Sequence, residues 1–516
     1  MRQKPTQGRH APGRRTAVHG TQSHPQQKRR APERYPVPGE DEVLVIPLGG
    51  IGRIGMNWTL YGHAGKWLLV DAGVAFVRDV PGVEMMMPDP DMLTPILRDL
   101  KGILVTHAHE DHIGALVHLV SAIGRGVPIS ATPFAAAVLK ARFAEAQVPA
   151  TVRTFRPGEM FPIEPFRIAS IPVSHSVPEA VAFAIATRAG IVVHTGDWKI
   201  DREPVVGHKT SLKAFERLGE RGVLAVLADS TNAERHAVIP TESEIARNME
   251  RAFARRSGLI VASCFATNVD RVAGIIRAAT ANNRVVALAG RSMLRCEEAA
   301  RAAGIFGPEV RVLTDSKQLL SYERHRSVLV CTGTQGEENS ALDRMAFDGA
   351  RHLPKLRNGD TVIHSARAIP GRELEIRSMF AALRAKGADI LEAKDEFDNP
   401  LHASGHAIRS DIENLHGLLK ARFVIPVHGE PDHLAAHADI AMASGAEAAP
   451  VLQEGAVVSF GKHGMKMLQR IPPRLIAGRR TPNNRMEFFP VKEEDLVPII
   501  DRTQRAGYEQ SMRVAV

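Results

Sequence analysis

The sequence predicts an α/β protein, on two observations. Short β-branched and aliphatic runs alternate with stretches of helical apolar spacing, and the alternation falls into two blocks of different regularity. In the first block, Val43–Leu48, Trp67–Asp71, Ile103–Thr106, Phe166–Pro172, Val181–Thr187 and Ile191–Thr195 read as strands, while Ile113–Ile123 and Phe134–Ala146 carry helical spacing. A sheet core covered by helices follows from that mixture. The second block, 212–400, repeats a regular strand–helix order through Val223–Ala228, Leu259–Ser263, Arg284–Ala289, Val328–Cys331 and Thr361–His364, which predicts a separate parallel-sheet domain. A third block, 401–466, supplies the strand Phe423–Val427 and a helix over Pro431–Ala443. Residues 467–516, with Pro472, Pro473 and the Arg-rich stretch 474–485, read as a tether with little core of its own.

Composition narrows the function classes. The 516 residues are 44% apolar and 24% charged, the balance of a chain that folds into several cores. No apolar run of about 18 residues is present to span a bilayer, and the first residues contain no apolar stretch of secretion-signal type. The expectation is a cytoplasmic protein without a membrane partner. The three cysteines, Cys264, Cys296 and Cys331, match neither a paired-thiol spacing nor a cysteine zinc site, so any metal has to rest on His and carboxylates. Of the net charge of +9, a surplus of seven sits in residues 1–40, which hold nine Lys/Arg against Glu33 and Glu40. That segment also has six Pro and no Leu, Ile, Phe or Trp, and reads as a disordered basic arm suited to nonspecific attraction of a polyanion such as RNA.

Gly50-Ile51-Gly52-Arg53-Ile54-Gly55 matches a dinucleotide fingerprint by letter and follows a strand. The fingerprint requires a helix to start at the second glycine, whereas Met56–Tyr61 continues in strand-like fashion with Trp58 and Thr59. A Gly-rich turn beside an active site is the better reading. The strongest chemical signal is Thr106-His107-Ala108-His109-Glu110-Asp111-His112, between a strand and a helix. Three imidazoles and a carboxylate this close together supply the nitrogen and oxygen donors that zinc prefers. His107 and His109 can reach one metal, while Asp111 and His112 can face a second. Two neighbouring ions need further ligands from distant sequence, a bridging carboxylate among them.

His-x-His-x-Asp-His, preceded by Val70-Asp71-Ala72-Gly73 and followed by Ser174-His175-Ser176 and Thr195-Gly196-Asp197, resembles the motif series of the metallo-β-lactamase superfamily. Ala228-Asp229-Ser230-Thr231-Asn232, Ser404-Gly405-His406 and Pro426-Val427-His428-Gly429-Glu430 are similar to the three motifs of its nucleic-acid-cleaving β-CASP branch. Leu48–Gly52, Asp229–Glu234, Thr332–Glu337 and Ile369–Gly371 resemble the bacterial ribonuclease J family, and the resemblance covers roughly 42–466.

What the resemblance implies is specific. The fold would be an αββα sandwich in two parts, 41–211 and 401–466, with a β-CASP domain inserted between them at 212–400. Two zinc ions would be held by His107, His109, Asp111, His112, His175, Asp197 and His428, with Asp197 bridging and Asp71 supporting the ligand loop. Asp111 or Asp197 would orient the attacking water, and His406, oriented by Asp229, would face the scissile phosphate of a single-stranded RNA. Ser404, Gly405, His406 and the Ser230-Thr231-Asn232 turn would contact RNA phosphate. The family acts as a 5′-to-3′ exonuclease and as an endonuclease, so both modes are expected. Its usual C-terminal domain of about a hundred residues is not matched by the fifty that follow Lys466, which leaves homo-oligomer formation through that domain open. A glyoxalase-like thioester or lactam hydrolase and a non-catalytic RNA-binding module are the competing readings. The first has no use for the long insertion or for His406, and the second predicts missing ligands. His433 and His437 lie four residues apart after His428, and His437 reads as a surface histidine.

Overall fold

A computed structural model describes residues 35–492, apart from 78–79, 81–82, 125, 348, 350–351, 370–371 and 482–485. Two mixed sheets pack face to face. One has eight strands in the order 464–470, 456–461, 42–47, 59–63, 66–70, 100–104, 129–131 and 152–154. The other has six, in the order 423–427, 225–229, 190–194, 181–187, 166–172 and 160–163.

Strand alternation explains how the sandwich closes. In Glu42–Pro47, Val43 and Val45 point into the space between the sheets, while Leu44 and Ile46 point to the opposite face. From the second sheet, Phe183 and Ile185 meet them across the gap, and Ala182 and Ala184 face outward onto Trp198, Phe215, Ile412 and Leu415. The central strands of each sheet are therefore buried on both faces, with helices outside, and every large apolar side chain so buried contributes about 1.5–3 kcal/mol. This is the αββα arrangement, and it carries an inserted five-stranded parallel sheet in the order 285–289, 327–331, 260–263, 361–364 and 389–392.

Three expectations need correction. Val223–Ala228 does not open the inserted sheet. The strand runs over Ala225–Asp229 and pairs in parallel with Gly190–His194 and Phe423–Val427, so it belongs to the sandwich together with the preceding helix Leu212–Arg221. A buried apolar strand looks alike in either sheet, and only pairing distinguishes them. The segment 467–516 is not merely a tether as far as it is described. Leu475–Arg480 pairs with Met85–Pro88 and Met486–Val491 in a four-stranded sheet, burying Leu475 and Ala477. Most of the basic arm, 1–34, lies outside the described residues, but its last positions are ordered against the sandwich. Tyr35 packs edge-on to Trp67, and the carbonyls of Pro38 and Gly39 accept from Gly65 and Ala64 N–H.

All three cysteines are buried with free thiols. Burial pushes Cys264 and Cys296 up to about 12 and Cys331 higher still.

Candidate metal centre

The chemistry-bearing side chains sit where strands end. Asp71 follows Lys66–Val70, the His107–His112 loop follows Leu100–Leu104, His175 follows Phe166–Pro172 and Asp197 follows Gly190–His194. Asp229 closes Ala225–Asp229, and His428 follows Phe423–Val427. All these ends meet along one rim of the sandwich. Two of the residues bend the chain sharply: Asp71 and His428 have φ of 59° and 53°, the left-handed region that costs a non-glycine residue on the order of 1 kcal/mol. Gly73 lies so close beneath the ligand loop that a Cβ there would sit 1.6 Å from the Asp111 carbonyl oxygen.

Three donor groups share Asp197, two of them built on the His107–His112 loop and a third made of Asp197, Asp229, His406 and His428. His107 Nε2, His109 Nδ1 and His175 Nε2 converge, with His109 Nδ1 3.1 Å from each of the other two nitrogens. Asp197 Oδ2 lies 3.6 Å from His107 Nε2 and 3.7 Å from His175 Nε2. Those separations bracket the edge of about 3.4 Å expected for a tetrahedron of donors around an ion bound at about 2.1 Å. The second group comprises Asp111, His112, Asp197 and His428. Asp197 Oδ1 is 3.2 Å from His112 Nε2, and Asp111 Oδ2 is 3.6 Å from His112 Nε2 and 3.7 Å from His428 Nε2.

The other ring nitrogens of His175, His107, His112 and His428 have partners behind the site, which orient the rings. His175 Nδ1 donates to the Gly405 carbonyl at 2.7 Å, and His107 Nδ1 lies 3.0 Å from Thr106 Oγ1. Asp71 is wholly buried. It accepts from Thr106 N at 2.8 Å and Thr106 Oγ1 at 2.7 Å, and its Oδ2 takes the Nδ1 proton of His112 at 2.7 Å. His428 Nδ1 is 3.1 Å from Asn57 Oδ1, and Asn57 Nδ2 also donates to the Asp111 carbonyl at 3.1 Å.

Electrostatics separates the two groups built on the loop: burial opposes a charge on His112, but Asp197, Asp111 and Asp71 raise its pKa well above the usual range, whereas the histidines of the first group are lowered. Burial holds His107 and His175 well below their usual range and His109 down at about 4, so these imidazoles are neutral with lone pairs free. Burial opposes the charge on Asp197, yet His112, His428 and His406 keep its carboxyl well below the ordinary range. Asp197 Oδ1 and His428 Nε2 are buried without a hydrogen-bond partner. A buried polar atom left alone is costly, and a cation satisfies both. The donor set therefore fits metal.

His406 closes the site from the far side. Its Nδ1 donates to Asp229 Oδ2 at 2.8 Å, and its ring stacks over His428 with centroids 5.5 Å apart. Burial works against its charge, but Asp229 and Asp197 outweigh it and hold His406 at about 9.

Among the expected phosphate contacts the structure discriminates. Ser404 and Gly405 line the His406 loop. Ser404 Oγ accepts from Asn232 Nδ2 at 3.0 Å and from His406 N at 3.3 Å, which leaves its own proton available. Ser230 is wholly buried and faces away, its hydroxyl donating to Ala228 O and lying 2.9 Å from His437 Nδ1. Thr231 Oγ1 is taken up by Asp229 Oδ1 at 2.7 Å and His428 O at 3.0 Å. Asn232 braces the loop through Ser404 and the His406 carbonyl at 3.2 Å. All three side chains have hydrogen-bond partners within the protein.

His437 is the clearest misreading. It is not on the surface but fully buried, with Nε2 2.9 Å from His416 Nε2. A helical histidine four residues after another gives no sign of which face it occupies. His433 Nδ1 accepts from Glu430 N at 3.2 Å and caps its own helix. No local sequence pattern marks Asn57 or the Gly405 carbonyl as a support for the donor residues. The glycine turn at 50–55 is followed by the strand Thr59–His63 and not by the helix that the dinucleotide fingerprint requires. It lies against His428, whose N–H donates to the Gly50 carbonyl at 2.6 Å.

Comparison with known proteins agrees with this architecture. A family model for the ribonuclease J β-CASP domain matches residues 257–383, and one for a β-lactamase superfamily domain matches 66–215. A third, for a Zn-dependent metallo-hydrolase RNA specificity domain, matches 396–449. Ribonuclease J of Sinorhizobium meliloti is 36% identical over 86% of this chain and 79% of its own length. Ribonuclease J of Mycobacterium tuberculosis is 37% identical over 78% of this chain and 71% of its own. Ribonuclease J of Helicobacter pylori is 36% identical over 78% of this chain, which spans 58% of that protein. A solved structure of a protein of unknown function from Enterococcus faecalis V583 shares the fold, with a TM-score of 0.53 over 84% of this chain and all of that one at 16% identity. With donor groups, sandwich and inserted sheet in place, and relatives aligned across most of both lengths, the chain belongs to the ribonuclease J family of metallo-β-lactamase-fold hydrolases.

Proposed function

We propose that this protein is a zinc-dependent ribonuclease with two ions per chain, acting on single-stranded RNA in the cytoplasm as a 5′-to-3′ exonuclease with endonuclease cleavage as a second mode. The observation that carries the metal requirement is the set of three four-residue donor groups sharing the Asp197 carboxylate, two of which include the His107–His112 loop. His107, His109, His175 and Asp197 would hold one ion, and Asp111, His112, Asp197 and His428 the other. Such ions supply two things when bound, a lowered water pKa and neutralisation of phosphate charge.

The protein's own groups supply the rest. Asp111, only half buried, has a carboxylate that can accept a proton of the attacking water and aim its lone pair at phosphorus. His406, oriented by the hydrogen bond from its Nδ1 to Asp229, would give a proton from Nε2 to the leaving oxygen. Ser404 can donate its hydroxyl to a phosphate oxygen, beside Gly405. Hydrolysis in this sense leaves a 3′ hydroxyl and a 5′ monophosphate.

The test is digestion of matched 5′-monophosphorylated and 5′-triphosphorylated transcripts by zinc-loaded protein, with products sized. Mononucleotides released from the first and not the second support the directional mode, while internal fragments from both support endonuclease action. Intact RNA alongside turnover of a thioester would replace the reading by a small-molecule hydrolase. Intact RNA that is nevertheless bound would favour a non-catalytic RNA-binding module.

A further inference from the structure

A second group of ionisable side chains lies buried behind the metal centre and takes no part in it. Lys199, Asp201, Glu242 and Arg271 are each 3% exposed or less. Lys199 stands two residues beyond Asp197, and Asp201 four beyond. Glu242 begins the helix Glu242–Ala254 and Arg271 lies in Val269–Ala281, the helices that flank the first strand of the inserted sheet.

The contacts run in one chain. Lys199 Nζ is 3.2 Å from Asp201 Oδ2 and 3.5 Å from Glu242 Oε1. Asp201 Oδ2 also accepts the Glu242 N–H at 3.0 Å. Arg271 meets Glu242 with its fork, Nε to Oε2 and Nη2 to Oε1, both at 2.9 Å. Its other terminal nitrogen donates to Ser365 Oγ, to the Leu401 carbonyl at 3.3 Å and towards His402 Nδ1 at 3.3 Å. Ser365 Oγ in turn donates to the same Leu401 carbonyl at 2.5 Å. Two positive and two negative groups balance.

Burying four charges gains little stability over an apolar replacement of equal volume, so its use lies in fixing a geometry. The geometry fixed is that of the Leu401–His406 return segment. The far side of that segment is tied to the same stretch of chain, since Ala407 N donates to the Trp198 carbonyl at 2.6 Å. His406 is thus suspended between two anchors, one at Trp198 directly and one at Lys199 through Glu242 and Arg271.

We propose that Arg271, held by Glu242 and Lys199, is a positioning residue that fixes the Leu401–His406 segment and so sets His406 against Asp229 and Asp197 for cleavage. The inference rests on the ribonuclease reading above. A planar fork serves both the carboxylate and the carbonyl, which a lysine ammonium cannot do together.

The test is a double-mutant cycle of Arg271→Lys with His406→Ala, read as kcat and KM on a single-stranded RNA and as metal content per chain. In the unaltered background Arg271→Lys lowers kcat about tenfold with KM and metal content unchanged, and in the His406→Ala background it lowers kcat no further. An equal fractional loss in both backgrounds, or loss of metal, overturns the proposal. Ser365→Ala removes one link to Leu401 with little risk to folding, and the same cycle is run on it in case Arg271→Lys does not fold. Amide hydrogen exchange over 401–407 gives a reading independent of activity. It rises in Arg271→Lys while exchange in Phe166–Pro172 stays constant, and unchanged exchange over 401–407 contradicts the anchoring. Failure of the unaltered protein to cleave RNA would refute the ribonuclease reading, whereas the exchange comparison still decides the anchoring.

Discussion

Strands Ala225–Asp229 and Ile260–Ser263 are both short, parallel to their neighbours and buried at every position. The first ends in Asp229, whose carboxylate holds His406, and the second ends in Ser263, which lies outside every donor group found among the described residues. The same contrast holds for the whole regions. The sandwich brings the strand ends that carry the donors to one rim, whereas the helices flanking the inserted parallel sheet turn Arg271, held by Glu242, onto the return segment, and none of the donors found among the described residues comes from them. Local sequence builds a strand equally well in either place. Its role depends on which sheet it joins and on which side chains its end then meets.

Substitutions that probe the two regions should grade accordingly. Asp197→Ala removes the carboxylate common to all three donor groups, and RNA cleavage falls by about a thousandfold or more, measured under single-turnover conditions on zinc-loaded protein. Retained cleavage would erase the distinction between the rim and the rest. Asp71→Ala touches no donor group directly but releases His112 Nδ1, and metal affinity by competition with a chelator weakens about 10- to 100-fold.

At Asp270 and Lys394 of the inserted region the expected effects are on stability. Asp270 accepts the N–H groups of Val205 and Val206 on Oδ1, and burial, with Glu242 adding to it, raises its carboxyl to about 7. A raised carboxyl pKa in the folded state means stability that is complete below about pH 4 and declines as pH rises towards 7. Asp270→Asn keeps the acceptor oxygen and flattens that decline, as seen by urea unfolding at a series of pH values. At the small end, Lys394→Ala breaks an exposed pair with Asp398 and shifts unfolding by no more than about 0.5 kcal/mol.

The metal centre was legible because its residues are chemically rare at that density. Three imidazoles and a carboxylate between His107 and His112 have few other uses, and each distant partner carries its own short pattern at a strand end. Sequence could not tell which sheet Val223–Ala228 joins, because pairing partners lie thirty and two hundred residues away. Nor could it tell that the Ser230 hydroxyl turns inward to His437, because a turn serine next to an active-site aspartate reads the same whichever way it points. Asn57 was missed for a related reason. An asparagine in a glycine-rich turn is ordinary until the fold sets it 3.1 Å from His428.

The interior placement of the three thiols makes the chain convenient to label. With Cys264, Cys296 and Cys331 sequestered and strongly disfavoured as thiolates, a single cysteine introduced at an exposed position such as Val238 would react with a maleimide dye ahead of the natural ones. Fluorescent reporters can thus be attached at such a position without first removing the native sulfurs.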